Sequence, residues 1–402
     1  MVNIDDFIAK YVVKRSQSMF LPDINANTEQ LKHKIANKSV LVIGGAGSIG
    51  SSFIKALLLY RPAKLVVVDT NENALAELTR DLRSTKGMYV PDDYITYPMD
   101  FASPVFRKMF VSHGGFDIVA NFSAHKHVRS EKDIYSVEAL LQNNVLNAKK
   151  LLDLLAGCPP EEYFCVSTDK AANPVNIMGA SKRIMEDVIF SYSDKFPVKT
   201  ARFANVAFSN GSLPAGFLER IKKFQPLGAP SDVRRYFVSP EESGQICLLS
   251  CMLGNNREIF FPKLEDAQMM TFDRIAVDLL HEYGYEVLEC GSDQEAIIKA
   301  EELWQGSKQY PVHFSASDTS GEKAYEEFYT NAETVDNSRL TALGVVTGKG
   351  IPDAGKIDML FNQLTEVFEK EVTTKIEVVN ILQDYLPEFH HIEAGKSLDS
   401  KM

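Results

Sequence analysis

The sequence predicts an α/β chain whose core is a Rossmann-type, doubly wound and mostly parallel sheet. Short apolar, strand-like runs alternate with helix-like stretches from Lys38 to Val206, and a glycine-punctuated turn, VLVIGGAGSIG, joins the first strand to the first helix of that series. Past Gly211 the alternation loosens, so a smaller lobe is expected to follow the sheet. Sheets of this kind bind ligands beyond the C-terminal ends of their strands, which is where candidate residues are sought.

Taken in order, SVLVIGG, KLVVVD, DYITYPMD, DIVANFSA, EYFCVST and VKTARFANV read as strands, being short apolar runs bounded by Gly, Asp or Pro. Between them, residues 48–60, 72–83, 104–112, 135–156 and 179–194 read as helices. Residues 1–37 are expected to form an N-terminal helical extension, 38–210 the dinucleotide-binding core and 211–330 a substrate lobe richer in Pro, Gly and charge, with 236–263 partly returning to the core. Residues 331–402 are assigned to a C-terminal helical extension. In it, 356–389 is amphipathic, with Ile357, Leu360, Leu364 and Val367 at helical spacing for packing on the body or a sister subunit. The last dozen residues read as a disordered tail.

With 402 residues, 45% hydrophobic and 24% charged, the chain can bury a large core. A formal charge of −11 argues against nucleic acid or an anionic membrane as the main partner, although local cations and a helix N-terminus still suffice for an anionic small molecule. Nowhere do about 20 apolar residues run together, so no membrane span is expected, and the N-terminus lacks the apolar run of a signal sequence. Cys158, Cys165, Cys247, Cys251 and Cys290 are read as free thiols of a reducing cytoplasm. Cys247 and Cys251 are four apart, but no second pair matches their spacing, and no metal site is expected.

Gly44, Gly47 and Gly50 lie in GxxGxxG spacing after a strand and, with Ser48 and Ile49, open a helix. Glycines there let a pyrophosphate approach the backbone, and the helix N-terminus supplies free N–H groups and a positive dipole. Asp69 ends the second strand, nineteen residues after Gly50. A carboxylate there accepts ribose hydroxyls and repels a 2′-phosphate, favouring NAD over NADP. Asp100, with Phe101 beside it, ends the third strand within reach of an adenine.

The stretch VSTDKAANPVNIMGASKR carries Thr168, Asp169 and Lys170 at a strand end, and Lys182 twelve residues on. Together with NFSAHKHV, ARFANVAFSNGS, RRYF and GEKAYEEF it resembles the extended short-chain dehydrogenase/reductase family over roughly residues 38–328, and within it the nucleotide-sugar 4,6-dehydratases of bacterial polysaccharide and glycan biosynthesis. The resemblance implies that Ser123 and Ala124 line the nicotinamide, Asn144 supports that region and Lys182 binds the nicotinamide ribose. It also implies that Thr168, Asp169 and Lys170 form the dehydratase triplet, that Lys126, Asn205 and Arg235 contact sugar or diphosphate, and that Arg202 is structural. Two departures, Ser317 to Ser320 in place of a Gly-Leu-Arg-Pro and an insertion near 285–310, leave UDP and GDP both open as the nucleotide.

Such a dehydratase is a hydro-lyase. It oxidises carbon 4 transiently, abstracts the proton on carbon 5, expels the carbon 6 hydroxyl and leaves its NAD as it began. Lys170 is assigned as the base at carbon 5 and Asp169 as the acid at carbon 6. Met178 stands four residues before Lys182, where many nicotinamide enzymes have tyrosine, and a thioether has no proton to exchange. Asp169, through Thr168 or a water, is then the candidate for the carbon 4 hydroxyl, and the methionine-bearing relatives imply retention at carbon 5. UDP-N-acetylglucosamine is the expected substrate and a homo-oligomer the expected assembly, with a GDP-linked sugar, a carbon 4 epimerase and a non-catalytic NAD sensor as alternatives.

Overall fold

The computed structural model describes residues 2–317, 323 and 325–393. One sheet of nine strands runs in the order Thr334–Asp336, Leu343–Thr347, Glu258–Pro262, Val198–Phe203, Glu162–Thr168, Ile118–Asn121, Ser39–Ile43, Lys64–Asp69, Asp93–Pro98. All neighbours pair in parallel except at the first two strands, which are antiparallel additions. Val40, Leu41, Val42 and Ile43 are all buried, as strands covered by helices on both faces must be. The strand order reverses between Ser39–Ile43 and Ile118–Asn121, which opens a crevice at their C-terminal ends.

Helix Ser48–Leu58 lies against helix Pro240–Leu253, and their approach is set by Gly244, where a Cβ would stand 2.3 Å from Ser52 O. The stretch expected as one helix over 135–156 is Ile134–Leu141 and Asn147–Ala156, joined by a π-helical turn, Gln142–Leu146. Helix Ile177–Phe190 starts two residues ahead of expectation because Asn176 Oδ1 accepts the Gly179 N–H at 2.7 Å and caps it. Residues 356–389 hold two helices, Ala354–Phe368 and Lys375–Tyr385, the second begun by a capping box between Thr374 and Glu377. Ile357, Leu360, Leu364, Val367, Val378 and Leu382 join the main core, so this face is spent on the body.

A second apolar cluster holds the lobe, built around the strands Leu227–Pro230, Glu286–Glu289 and Gln309–Ser315 and the helices Leu213–Lys222 and Phe272–Glu282. The N-terminal segment spans both clusters. Phe7, Ile8, Val12 and Val13 pack in the lobe, while Phe20, Leu31 and Ile35 pack in the main core. Between them Arg15 forks onto Glu242, with Nε and Nη2 each 2.6 Å from a carboxylate oxygen. Residues 394–402, most of the expected tail, lie outside the described residues, as do 318–320 of the Ser317 to Ser320 departure and 321, 322 and 324 of the GEKAYEEF motif.

Arg202 is fully buried at the end of its strand. Its Nε and Nη2 donate to Glu186 at 2.9 and 2.8 Å, its Nη1 and Nη2 to Glu333 at 2.7 and 2.9 Å, and Nη1 also to Phe328 O at 3.0 Å. Burial works to raise the Glu333 carboxyl, but Arg202 and Lys349 hold it down at about 2. Without the guanidinium the buried Glu186 would keep only the Ser167 hydroxyl among its described hydrogen-bond partners, while Glu333 would keep Lys349, so Arg202→Ala should cost about 3–5 kcal/mol of unfolding free energy in urea titrations. A loss below about 1 kcal/mol would show that Glu186 and Glu333 do not depend on it.

Candidate active site

The crevice opens into a cavity of ≈ 1290 Å³ that runs from the glycine turn to the lobe strands Leu227–Pro230 and Gln309–Ser315. Gly44 adopts φ +70°, and a Cβ there would stand 2.6 Å from Ser123 N, so the turn must be glycine to lie against the end of the strand Ile118–Asn121. Gly47, Ser48, Ile49 and Gly50 line the cavity, and the helix they open has no side-chain cap, which leaves its first N–H groups available to an anion. Asp69 lines it as well, its carboxylate fixed by the N–H groups of Ala46 at 3.1 Å and Asn71 at 3.0 Å. Asp100 and Phe101 follow along the same wall. An uncapped helix start beside an oriented carboxylate fits a dinucleotide's diphosphate and ribose.

Ser123, Ala124 and Lys126 form the middle of the wall. Asn144 lies behind it in the π-helical turn, where it ties segments together: its Oδ1 accepts the His125 N–H, and its Nδ2 donates to His125 O and Ser181 Oγ. Its neighbour Asn143, in the same π-helical turn, lines the cavity instead.

Thr168, Lys170, Met178 and Lys182 face the cavity together, and Asn205 lines it from the short strand Asn205–Val206. Asp169 and Arg235 are buried just behind. Thr168 Oγ1 donates to Asp169 Oδ1 at 2.8 Å, the Lys170 N–H donates to the same oxygen at 2.9 Å, and Lys170 Nζ lies 3.1 Å from it. Thr168 thus connects the cavity to a carboxylate that does not itself line it. Lys182 Nζ donates to Val166 O at 3.0 Å, and burial pulls its ammonium below the usual lysine value.

Two acidic residues that the sequence reading left without roles belong to this neighbourhood. Glu131 Oε1 accepts the Met178 N–H at 3.0 Å, and its Oε2 lies 3.2 Å from His391 Nε2. The Ile392 N–H donates to Val175 O at 2.9 Å, so the segment after helix Lys375–Tyr385 is pinned to the Lys170–Met178 loop. Glu326, from the GEKAYEEF motif, is buried 3.5 Å from Lys170 Nζ and 4.0 Å from Arg235 Nη2. Nothing local in SEKD or AYEEF marks these carboxylates, because only the tertiary fold brings them to the loop. Cys247 and Cys251 lie buried on helix Pro240–Leu253, away from the cavity lining, and burial pushes the Cys251 thiol up to about 12.

Compared with known proteins, residues 40–346 match the pattern of a family described as polysaccharide biosynthesis protein. An uncharacterized membrane protein of Methanocaldococcus jannaschii is 29% identical over 85% of this chain and 95% of its own. The capsular polysaccharide biosynthesis protein CapD of Staphylococcus aureus is 25% identical over 86% of this chain but 54% of its own, so the chain spans about half of it. A UDP-N-acetylglucosamine 4,6-dehydratase (inverting) of Campylobacter jejuni is 24% identical over 74% of this chain and 84% of its own. Among solved structures, Pen from Bacillus thuringiensis superposes with TM-score 0.62 at 19% identity, covering 82% of this chain and 99% of that one. The dTDP-glucose 4,6-dehydratase DesIV from Streptomyces venezuelae gives TM-score 0.54 at 18% identity, covering 87% and 97%. Both share the fold. No helix among the described residues is long and apolar enough to cross a membrane.

Removing the Glu131 carboxylate leaves the buried Met178 N–H and the His391 ring without their partner. Glu131→Ala should therefore cost about 1–3 kcal/mol in chemical denaturation, and an unchanged midpoint would show that this carboxylate does not anchor the loop.

Proposed function

Because the chain belongs to the polysaccharide biosynthesis protein family, we propose that it is an NAD-dependent nucleotide-sugar 4,6-dehydratase acting on UDP-N-acetylglucosamine with retention at carbon 5. The observation that carries this reading is the Thr168–Asp169–Lys170 constellation at the cavity wall, beside Met178 and Lys182, with no tyrosine among the described residues lining the cavity. A carbon 4 epimerase needs one group to move the hydroxyl proton. A dehydratase needs further acid and base groups for elimination, and Asp169 with Lys170 are that surplus.

Bound NAD would supply a reversible acceptor for the electrons of the carbon 4 C–H bond. The Gly44–Gly50 turn and the helix start would hold its diphosphate, Asp69 its adenosine ribose and Lys182 its nicotinamide ribose. Thr168 Oγ1 would pass the carbon 4 hydroxyl proton to Asp169, which returns it to the leaving carbon 6 hydroxyl. Lys170 Nζ would take the carbon 5 proton and give it back on the same face, which is the condition for retention. Two protons are taken and two returned, so the site ends as it began. Lys126 and Asn205, which line the cavity, would meet the sugar and diphosphate, with the buried Arg235 supporting them.

Incubation with UDP-N-acetylglucosamine should give a 4-keto-6-deoxy product lighter by one water. An isomer of unchanged mass would mean an epimerase, turnover of the GDP-linked sugar instead would move the nucleotide assignment, and no turnover of either sugar would favour the sensor reading. Asp169→Asn should slow dehydration by about 10²- to 10⁴-fold while the thermal shift on adding NAD survives; water loss at the wild-type rate would remove Asp169 from the mechanism. Asp69→Ala should narrow the preference for NAD over NADP, read as thermal shifts, by at least about tenfold.

A further inference from the structure

Glu326 is a carboxylate in an unusual position. Only 4% of the residue is exposed, and its Oε2 is buried with no hydrogen-bond partner. The charged groups around it come from three directions: Lys170 Nζ at 3.5 Å and Asp169 from the loop after Glu162–Thr168, Arg235 Nη2 at 4.0 Å from the strand Arg234–Arg235, and Lys323 Nζ at 4.0 Å from its own segment. Arg235 Nη1 donates to Lys323 O at 2.9 Å, Lys323 Nζ to Asn173 O at 2.5 Å, and Asn173 Nδ2 to Glu327 Oε2 at 2.7 Å, so Lys323 and Glu327, on either side of Glu326, are both fastened to the Lys170 loop.

This geometry meets a difficulty in the function proposed above, on which the inference rests. To take the carbon 5 proton Lys170 must present a free lone pair, yet it lies between two carboxylates. Burial pulls its ammonium down, but Asp169 and Glu326 outweigh that and leave it above the usual lysine value. An orphaned buried carboxylate oxygen is costly while the group is charged, and the cost falls when the group carries a proton. We propose that Glu326 is the proton-holding partner of Lys170, a positioning residue that takes the Lys170 Nζ proton on Oε1 and so frees the amine to act at carbon 5. The step balances within the pair: the N–H bond of Lys170 breaks, an O–H bond forms on Glu326, and the net charge is unchanged. Lys170 then takes the carbon 5 proton, returns it to carbon 5, and recovers its own from Glu326. Burial, with Asp169, holds the Glu326 carboxyl above the usual range against Lys170, Arg235 and Lys323, in keeping with a group that accepts this proton.

Because the exchange needs no proton from solvent, wild-type dehydration should be nearly flat with pH across the neutral range. In Glu326→Gln the shape is kept but the acceptor is gone, and Lys170 must lose its proton to water. Both dehydration and exchange of the product's carbon 5 hydrogen in heavy water should then fall about 10²-fold near neutrality and rise about tenfold per pH unit. A variant with reduced rates but the wild-type pH profile would make Glu326 merely structural and overturn the proposal. If Gln disturbs the thermal unfolding midpoint, Glu326→Asp, which keeps a carboxyl, serves in its place: it should retain the flat profile, and a steep one overturns the proposal as well. Absence of water loss in the wild type would instead remove the dehydratase reading, and this inference with it.

Discussion

The buried guanidinium of Arg202 is the interaction on which the arrangement of the site depends. It grips Glu186 on the helix that presents Met178 and Lys182, and Glu333 on the segment that follows Glu326, while its own strand belongs to the central sheet. Ser167, one residue before Thr168, Asp169 and Lys170, donates to the same Glu186 at 2.7 Å. Two consecutive elements and a segment 131 residues beyond Arg202 are thereby referred to one charged group. A buried ion pair is weak evidence for net stability, but breaking one is expensive, so such a network favours one relative placement over its alternatives.

Much of the sheet and of the cofactor end was legible because both are local. The strands are apolar runs, the glycine turn follows one of them, and Asp69 is the last residue of another. The sequence also brought Thr168, Asp169, Lys170, Met178 and Lys182 into one stretch, and the fold presents four of them to one cavity. Less was legible where tertiary contacts decide. The turn at Gln142–Leu146 widens within an otherwise regular helical pattern and exchanges the cavity place of Asn144 for Asn143. The C-terminal stretch divides at Thr374 because a capping box competes with helix continuation. Glu131 and Glu326 could not be found from spacing, since Glu131 meets Met178, and Glu326 meets Lys170 and Arg235, across more than forty residues.

A thioether where a hydroxyl is often found changes what surrounds it. Met178 needs no proton path, and its place is held through its backbone N–H by Glu131. In the proposed mechanism the acid and base groups gather at Lys170, where Thr168 reaches Asp169 and Glu326 lies 3.5 Å from Nζ. That mechanism divides cofactor contact and proton handling between the helix and the loop.

The hydrogen bond from Ile392 to Val175 has a consequence for how the molecule comes into being. The parallel sheet can close once the strand Glu258–Pro262 has emerged from the ribosome, and the glycine turn is formed by then. The loop that carries Lys170 still lacks its later fastenings, the bonds of Lys323 and Glu327 to Asn173 and that of Ile392 to Val175, the last of which arrives more than two hundred residues after the loop itself. The residues that would hold a dinucleotide on the proposed function are therefore synthesised well before the last fastening of the Lys170 loop.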